Sequence, residues 1–381
     1  MTWLLPLVLL AQEHVHRSEH YEVHSDVDEA FCRKVAERME RAFKAYASIL
    51  PYPPPEKTAF KVRVFSTKEK LDGYFRGLRQ RPPPSYQYVH DVREVFAWVL
   101  PEKPMAQRLH HEAFHQYFRH IVNDPPQWLN EGLAEYIETG TIDEKAVFKP
   151  GMHRGFMRRW REGIRSVDPG PYNGKYPLIP LADLVNAPKE TWLKTENSSY
   201  CESWGLVHFL LHGPDAKLPA PVLKALKPGG TREENLRLAA DAVLGGDAAA
   251  VEKAFFAHLD AIVLPGHADF LAGMKLSEEQ KFGEAAASFT KAIEADGENE
   301  RYLYWRGATL YSTSSFDRAE ADLSLAVELF PEYTIAHLVL GKTRVYLKKW
   351  DLARESLDRA ARLDRNMKRE ADEWKAKIPE K

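Results

Sequence analysis

Between positions 109 and 120 the chain reads LHHEAFHQYFRH, which puts four histidines and one glutamate within eleven positions. His111, Glu112 and His115 form the pattern H-E-x-x-H. On a helix, residues i and i+4 lie one above the other on one face. Two imidazole nitrogens so placed can reach one ion at about 2.0–2.1 Å. Glu112 sits beside the first of them and can reach a water on that ion without being a ligand. Two fixed ligands and a general base are what a zinc hydrolase requires. His110 points about 100° away from His111, so it and His120 are expected to be solvated or to support the site from outside. A solvated helix face would carry the same residues, so this stretch alone leaves both readings open.

The next stretch, PQWLNEGLAEYIE, changes the balance. A catalytic zinc takes three protein ligands and leaves a position open. Glu131 lies sixteen residues beyond His115, across the breaker NDPP. Two helices joined by that turn can lie face to face, and Glu131 then completes a His₂Glu set. Glu135, one turn later, shares its face and is a candidate to orient a ligand histidine. Its alternative is a surface acid.

The elements that must hold these residues follow from periodicity. HYEVHSD reads as a strand. Residues 27–49 read as a helix with apolar positions at Phe31, Val35, Met39, Phe43 and Tyr46. FKVRVFS alternates with period two, a second helix runs through Leu78, and YQYVHD and EVFAWVLPE are two further strands. Helices are expected from Met105 to about Val122 and from Pro126 to about Glu138. Residues 140–197 read as loop-rich, and a helix resumes at SSYCESWGLVHFLLH. TREE at 231–234 fits a capping box, and Asp247 fits a cap.

HHEAFHQYF…PQWLNEGLAEYIE resembles the active-site helix pair of the gluzincin metallopeptidases, the thermolysin-like superfamily. It is closest to the peptidase-MA-like branch of secreted bacterial members, and it is similar to the WLNEG helix of zinc aminopeptidases. The resemblance spans about residues 20–215. It implies a zinc-dependent metallopeptidase (a hydrolase) holding one Zn²⁺ per chain on His111, His115 and Glu131. Glu112 would be the general base that takes the proton of a zinc-bound water as it attacks a peptide carbonyl. A donor to the oxyanion would come from a later helix, with Tyr200 the first candidate and His208 the second. A G-A-M-E-N-like strand is missing, and REVFAWVLPE stands in its place, which speaks against an aminopeptidase. In that superfamily the strand before the active-site helix binds substrate by strand addition, a role open to residues 94–100.

The C-terminal third repeats. Gly273, Gly307 and Gly341 are spaced by 34, as are Ala285, Ala319 and Ala353, and Ala292, Ala326 and Ala360. Small residues at a fixed period let paired antiparallel helices approach. With Phe289 and Pro331 in place, residues 266–367 look like three tetratricopeptide repeats, and NMKREADEWKAKI would cap the open end. Such arrays recruit a protein partner or peptide substrate on a concave face.

The expected architecture is therefore an α+β N-terminal and catalytic region of thermolysin-like type followed by an all-α repeat solenoid. The expected divisions are 1–11 (a signal peptide), 12–103 (α+β), 104–265 (mainly helical), 266–367 (repeats) and 368–381 (cap). The 381-residue length fits two or three domains. A formal charge of −2 gives no support for a nucleic-acid partner. The apolar run from Trp3 to Leu10 is too short to span a membrane and fits a secretory leader ending at Ala11, despite lacking a preceding basic residue. It predicts a secreted or periplasmic protein, or a cytoplasmic one if it is no leader. No later stretch qualifies as transmembrane. Cys32 and Cys201 are read as two buried thiols. Two other readings compete. Glu112 and His115 also form E-x-x-H, but a di-iron bundle needs a second such element and none is suitably placed. The other is a catalytically silent tetratricopeptide interaction or scaffold protein that retains a metallopeptidase fold.

Overall fold

Asp28 opens the first helix by accepting a hydrogen bond from the Phe31 amide, and the helix α1 (Glu29–Ile49) buries Val35, Met39, Phe43 and Tyr46 at helical spacing. The computed structural model describes residues 13–56, 58–162, 178–214 and 219–379. These fall into two compact units, one ending at Ile262 and one beginning at Val263.

The first unit is built on a five-stranded sheet of β1 (His14–Arg17), β2 (Tyr21–Ser25), β3 (Phe60–Phe65), β4 (Gln87–Val89) and β5 (Glu94–Trp98). The strand order is β1-β2-β3-β5-β4, with β2, β3 and β5 parallel and the two outer strands antiparallel. Parallel pairing needs a crossover. Here α1 joins β2 to β3, and α2 (Lys68–Gly77), capped by Thr67, lies between β3 and β5. The region is thus a mixed sheet with strand–helix–strand crossovers at its centre. Strand β5 is internal, bonded on both sides and buried along its length, so it has no free edge for strand addition. The edge strands are β1 and β4.

Helix α3 (Glu102–Ile121) packs on α1 and β5. An aromatic cluster joins α1, β3 and α3: Phe43 meets Tyr117 edge-on at 5.1 Å, and Tyr46 meets Phe114 at 5.3 Å. The Tyr46 hydroxyl donates to the His110 carbonyl at 2.8 Å and so ties the middle of α3 to α1. Helix α4 (Gln127–Thr139) begins after Pro126 and packs against α3 and α8 (Glu196–His212). A Cβ on Gly132 would lie 2.5 Å from the Ser203 carbonyl oxygen. Only a glycine lets α4 and α8 approach this closely.

Residues 140–197 hold more structure than their composition suggests: the hairpin β6 (Thr141–Ile142) and β7 (Phe148–Lys149), then α5 (Arg154–Glu162), α6 (Leu181–Asn186) and α7 (Lys189–Trp192). These elements are too short to show a period. The unit ends with α9 (Pro219–Ala225), α10 (Arg232–Leu244) and α11 (Ala248–Ala261). Thr231 accepts from the Glu234 amide and Asp247 from the Ala250 amide, both as caps. Cys32 and Cys201 are buried and free, and burial pushes the Cys32 thiol up to about 11.

The second unit is a stack of helix pairs: α12 (His267–Glu278) with α13 (Phe282–Asp296), α14 (Glu300–Ser312) with α15 (Phe316–Leu329), and α16 (Thr334–Tyr346) with α17 (Trp350–Leu363). A further helix, α18 (Lys368–Lys375), packs on α17. The repeated glycines explain the pairing. A Cβ at Gly273 would meet Phe289 at 2.6 Å, one at Gly307 would meet Leu323 at 2.8 Å, and one at Gly341 would meet Leu357 at 2.6 Å. The turn inside each pair also repeats: Gln280, Ser314 and Lys348 take φ of 60°, 58° and 58°. Arg306 clamps α14 to α15 with two 2.7 Å bonds to Asp322. These are tetratricopeptide-like repeats. No described helix is long and apolar enough to cross a membrane. The expected leader and residues 168–177 of the Gly/Pro-rich stretch lie outside the described residues.

Candidate functional site

Helix α3 presents His111 and His115 one turn apart on the face turned to α4, and α4 presents Glu131 in return. All three are buried, at 8%, 7% and 6% exposure. The two Nε2 atoms are 3.1 Å apart. Glu131 Oε2 lies 3.6 Å from His111 Nε2 and 3.2 Å from His115 Nε2. Three atoms each about 2.05 Å from a tetrahedral ion would be about 3.3 Å apart, so the spacing fits a zinc-sized ion held by two imidazoles and a carboxylate. Glu131 Oε2 is buried with no hydrogen bond, while its other oxygen accepts from Gln127 Nε2 at 2.9 Å. Gln127 thus aims the free oxygen at the histidines.

Electrostatics agree with a cation-seeking site. Burial alone would raise the Glu131 carboxyl, but His115 and His111 outweigh it and hold the group well below the usual carboxylate range. Burial opposes charge on His111, yet Glu131 and Glu138 raise that ring well above its ordinary value. His111 Nδ1 lies 2.8 Å from Glu138 Oε2. Glu138, rather than Glu135, is therefore the carboxylate set against the outer nitrogen of a ligand histidine. Glu135 faces His153 at 3.6 Å; burial and then the neighbouring Glu138 push it up to about 8. Glu138 is held low because His111 outweighs its burial. Glu131, Glu135 and Glu138 stand at i, i+4 and i+7, one face of α4. That spacing is visible in the sequence and could have identified Glu138. Gln127 and Gly132 carry no such signal.

The remaining candidates sit elsewhere or are otherwise engaged. Glu112 is raised mainly by burial, and its Oε2 accepts from the Tyr88 amide at 2.6 Å, which ties α3 to edge strand β4. Tyr200 packs edge-on against Trp192 at 4.8 Å. His208 Nδ1 lies 2.9 Å from His258 Nε2 on α11, beside His212, whose Nε2 lies 2.8 Å from the Tyr136 hydroxyl. His208 is not among the metal-ligating groups that lie together with His111, His115 and Glu131. His110 is buried rather than solvated; burial and the nearby Arg38 and Arg41 hold it down to about 3. His120 is exposed, with its ring edge-on to Phe60.

Residues 106–224, which include this site, match the family described as "Protein of unknown function (DUF1570)". Human RNA polymerase II-associated protein 3 is 32% identical over 94 residues, covering 25% of this chain and 14% of its own length. Hsc70-interacting protein 1 of Drosophila melanogaster is 32% identical over 96 residues, 25% of each chain. The chain thus spans a quarter or less of the curated relatives it matches. Among solved structures, the TPR2B domain of yeast Sti1 in its pHsp70 complex is 25% identical over 30% of this chain and 94% of its own, with a TM-score of 0.29.

These findings correct the expectation of a zinc metallopeptidase. The relatives are an RNA polymerase II-associated protein and an Hsc70-interacting protein, neither named as a peptidase, and the family that matches the helix pair is described as of unknown function. Glu112 accepts from the β4 backbone, His208 lies against His258 and His212, and the expected substrate strand is internal. A ligand set is not by itself a catalyst. What stands is a chain whose second unit is a stack of tetratricopeptide-like helix pairs.

Proposed function

We propose that this chain is a tetratricopeptide interaction protein that binds a peptide segment of a protein partner on its repeats and holds a structural metal ion in its first unit. The reading is carried by the repeat array: three helix pairs in one 34-residue register, each closed by a glycine against the same position of its partner helix. A stack of this kind presents successive first helices as one extended surface. Of the equivalent Leu271, Trp305 and Val339 on those helices, Val339 is buried in the core, Trp305 is half-buried and Leu271 is 44% exposed, so Leu271 is the apolar side chain offered to a partner segment. The printed names of the relatives, an Hsc70-interacting protein among them, support a protein partner and make a chaperone-derived peptide the first to try.

His111, His115 and Glu131 would hold the ion, and zinc is the metal their two-nitrogen, one-oxygen set suits. The ion would tie α3 to α4 and neutralise the buried carboxylate. The α3–α4 pair then keeps the ligand arrangement of the metallopeptidase-like fold without its hydrolysis.

Selection of a displayed peptide library on the full chain tests the main reading. The expected result is enrichment of a defined apolar motif that Leu271→Glu abolishes while the helical circular dichroism signal is kept. Enrichment of no motif, or of one indifferent to Leu271→Glu and Trp305→Ala, overturns it.

A further inference from the structure

The last turn of α3, the turn between β4 and β5 and the start of β3 enclose a cavity of about 280 Å³ in the first unit. This is near the lower edge of the volumes that hold small molecules. Two guanidiniums line it. Arg119 stands at i+4 from His115 on α3, and Arg93 lies in the turn. That turn is held in place: Gln116 Nε2 donates to the Arg93 carbonyl at 2.8 Å and to the Lys61 carbonyl at 3.1 Å. Arg93 itself has φ of +52°, a left-handed conformation that a side chain rarely adopts. The strain has a consequence: it sets Arg93 and Arg119 around one space.

Beside the two cations, the lining holds neutral groups that can both donate and accept, Gln116 and Tyr88 among them. Asn123, Thr58 and His120 add neutral polar groups. The acids within reach are committed: Asp124 pairs with Arg232 at 2.9 Å, and Glu131 faces the two histidines. Among the described residues no carboxylate pairs with Arg119 or Arg93. Arg119 is partly buried; burial and Arg232 lower its guanidinium, while Glu131 and Asp124 act in the opposite direction without pairing with it. A planar guanidinium in such a place is suited to a carboxylate or phosphate, which it binds through paired hydrogen bonds.

We propose that this cavity binds a small ligand through an anionic group, carboxylate or phosphate, seated between Arg119 and Arg93. The site depends neither on the metal ion nor on the repeats, so it stands or falls apart from both.

The test is calorimetric titration of the full chain with inorganic phosphate and, separately, with succinate. Ionic strength is held constant with sodium chloride, and EDTA is present so that neither anion acts on a bound metal. The expected result is saturable binding of one of the two, weakened at least tenfold by Arg119→Gln and severalfold by Arg93→Gln. The anion that binds identifies the source of the charge. Saturable binding of neither anion overturns the proposal, as does binding that both substitutions leave unchanged. Arg93 is exposed, so Arg93→Gln keeps the fold and decides alone if Arg119→Gln proves unstable.

Discussion

At the scale of single residues, the first unit concentrates its chemistry on two facing helix surfaces. His111 and His115 come from one, and Glu131, Glu135 and Glu138 from the other. The unequal placement of the last two acids gives a sharp expectation. Glu138 touches the outer nitrogen of His111, while Glu135 is turned to His153. Partners behind a ligand histidine typically govern metal affinity by 10- to 100-fold. Glu138→Gln is therefore expected to weaken zinc binding by about that factor, and Glu135→Gln by much less, measured by competition with a chromogenic chelator. His111→Ala and Glu131→Gln should each abolish the roughly one zinc per chain expected of a single three-ligand site. Retention of full stoichiometry in either variant would refute the metal centre. The spacing of His111, His115 and Glu131 was legible in the sequence because a helix converts spacing into a face. The roles of Glu138 and Gln127 were not, because both depend on how far α3 and α4 are offset along their axes.

At the scale of elements, glycines and turns decide how closely helices meet. Gly132→Ala would push a methyl into the α8 backbone at Ser203, at a cost of about 1–3 kcal/mol. Gly283 has open space around it, so Gly283→Ala should instead stabilise α13 by up to about 1 kcal/mol. Chemical denaturation of the two variants distinguishes these opposite signs. The repeat turns give a second expectation. Gln280, Ser314 and Lys348 each close their helix in the left-handed conformation, with the next amide bonded back to Leu276, Leu310 and Arg344 respectively. A side chain there costs energy that glycine avoids. Gln280→Gly should stabilise the second unit by a few tenths to about 1 kcal/mol, read from its denaturation midpoint. A loss of stability would show that Gln280 makes a contact worth more than the strain. The 34-residue period was readable because it recurs in three columns. The left-handed turns were not, because their residues differ from repeat to repeat and none is glycine.

At the scale of the whole molecule, half-buried histidines set an acid limit. His337 Nε2 donates to the Pro331 carbonyl at 3.0 Å, and burial holds the ring down to about 4. His208 is likewise held to about 4 by burial, with His212 and His258 adding to the effect. Both rings are neutral in the folded chain, and both bind protons more readily once unfolded. The unfolded state therefore takes up more protons between about pH 6.5 and pH 4, and stability falls as pH is lowered through that window. For His337 the loss is up to about 3 kcal/mol. His337→Gln should flatten the pH dependence of melting of the full chain over that window. An unchanged slope would mean that the ring titrates normally in the folded state.

The sequence by itself determined which residues share a helix face, where the 34-residue repeats begin, and that two histidines and a glutamate could meet. These are properties of local period, and a helix or a repeat expresses them whatever surrounds it. Tertiary structure alone decided that the strand at 94–98 lies inside the sheet, that His208 lies against His258 on another helix, and that Arg93 and Arg119 share a cavity. Each of these depends on the offset and pairing of elements far apart in the chain. Those are set by packing and hydrogen-bond satisfaction over the whole unit, which no local spacing records.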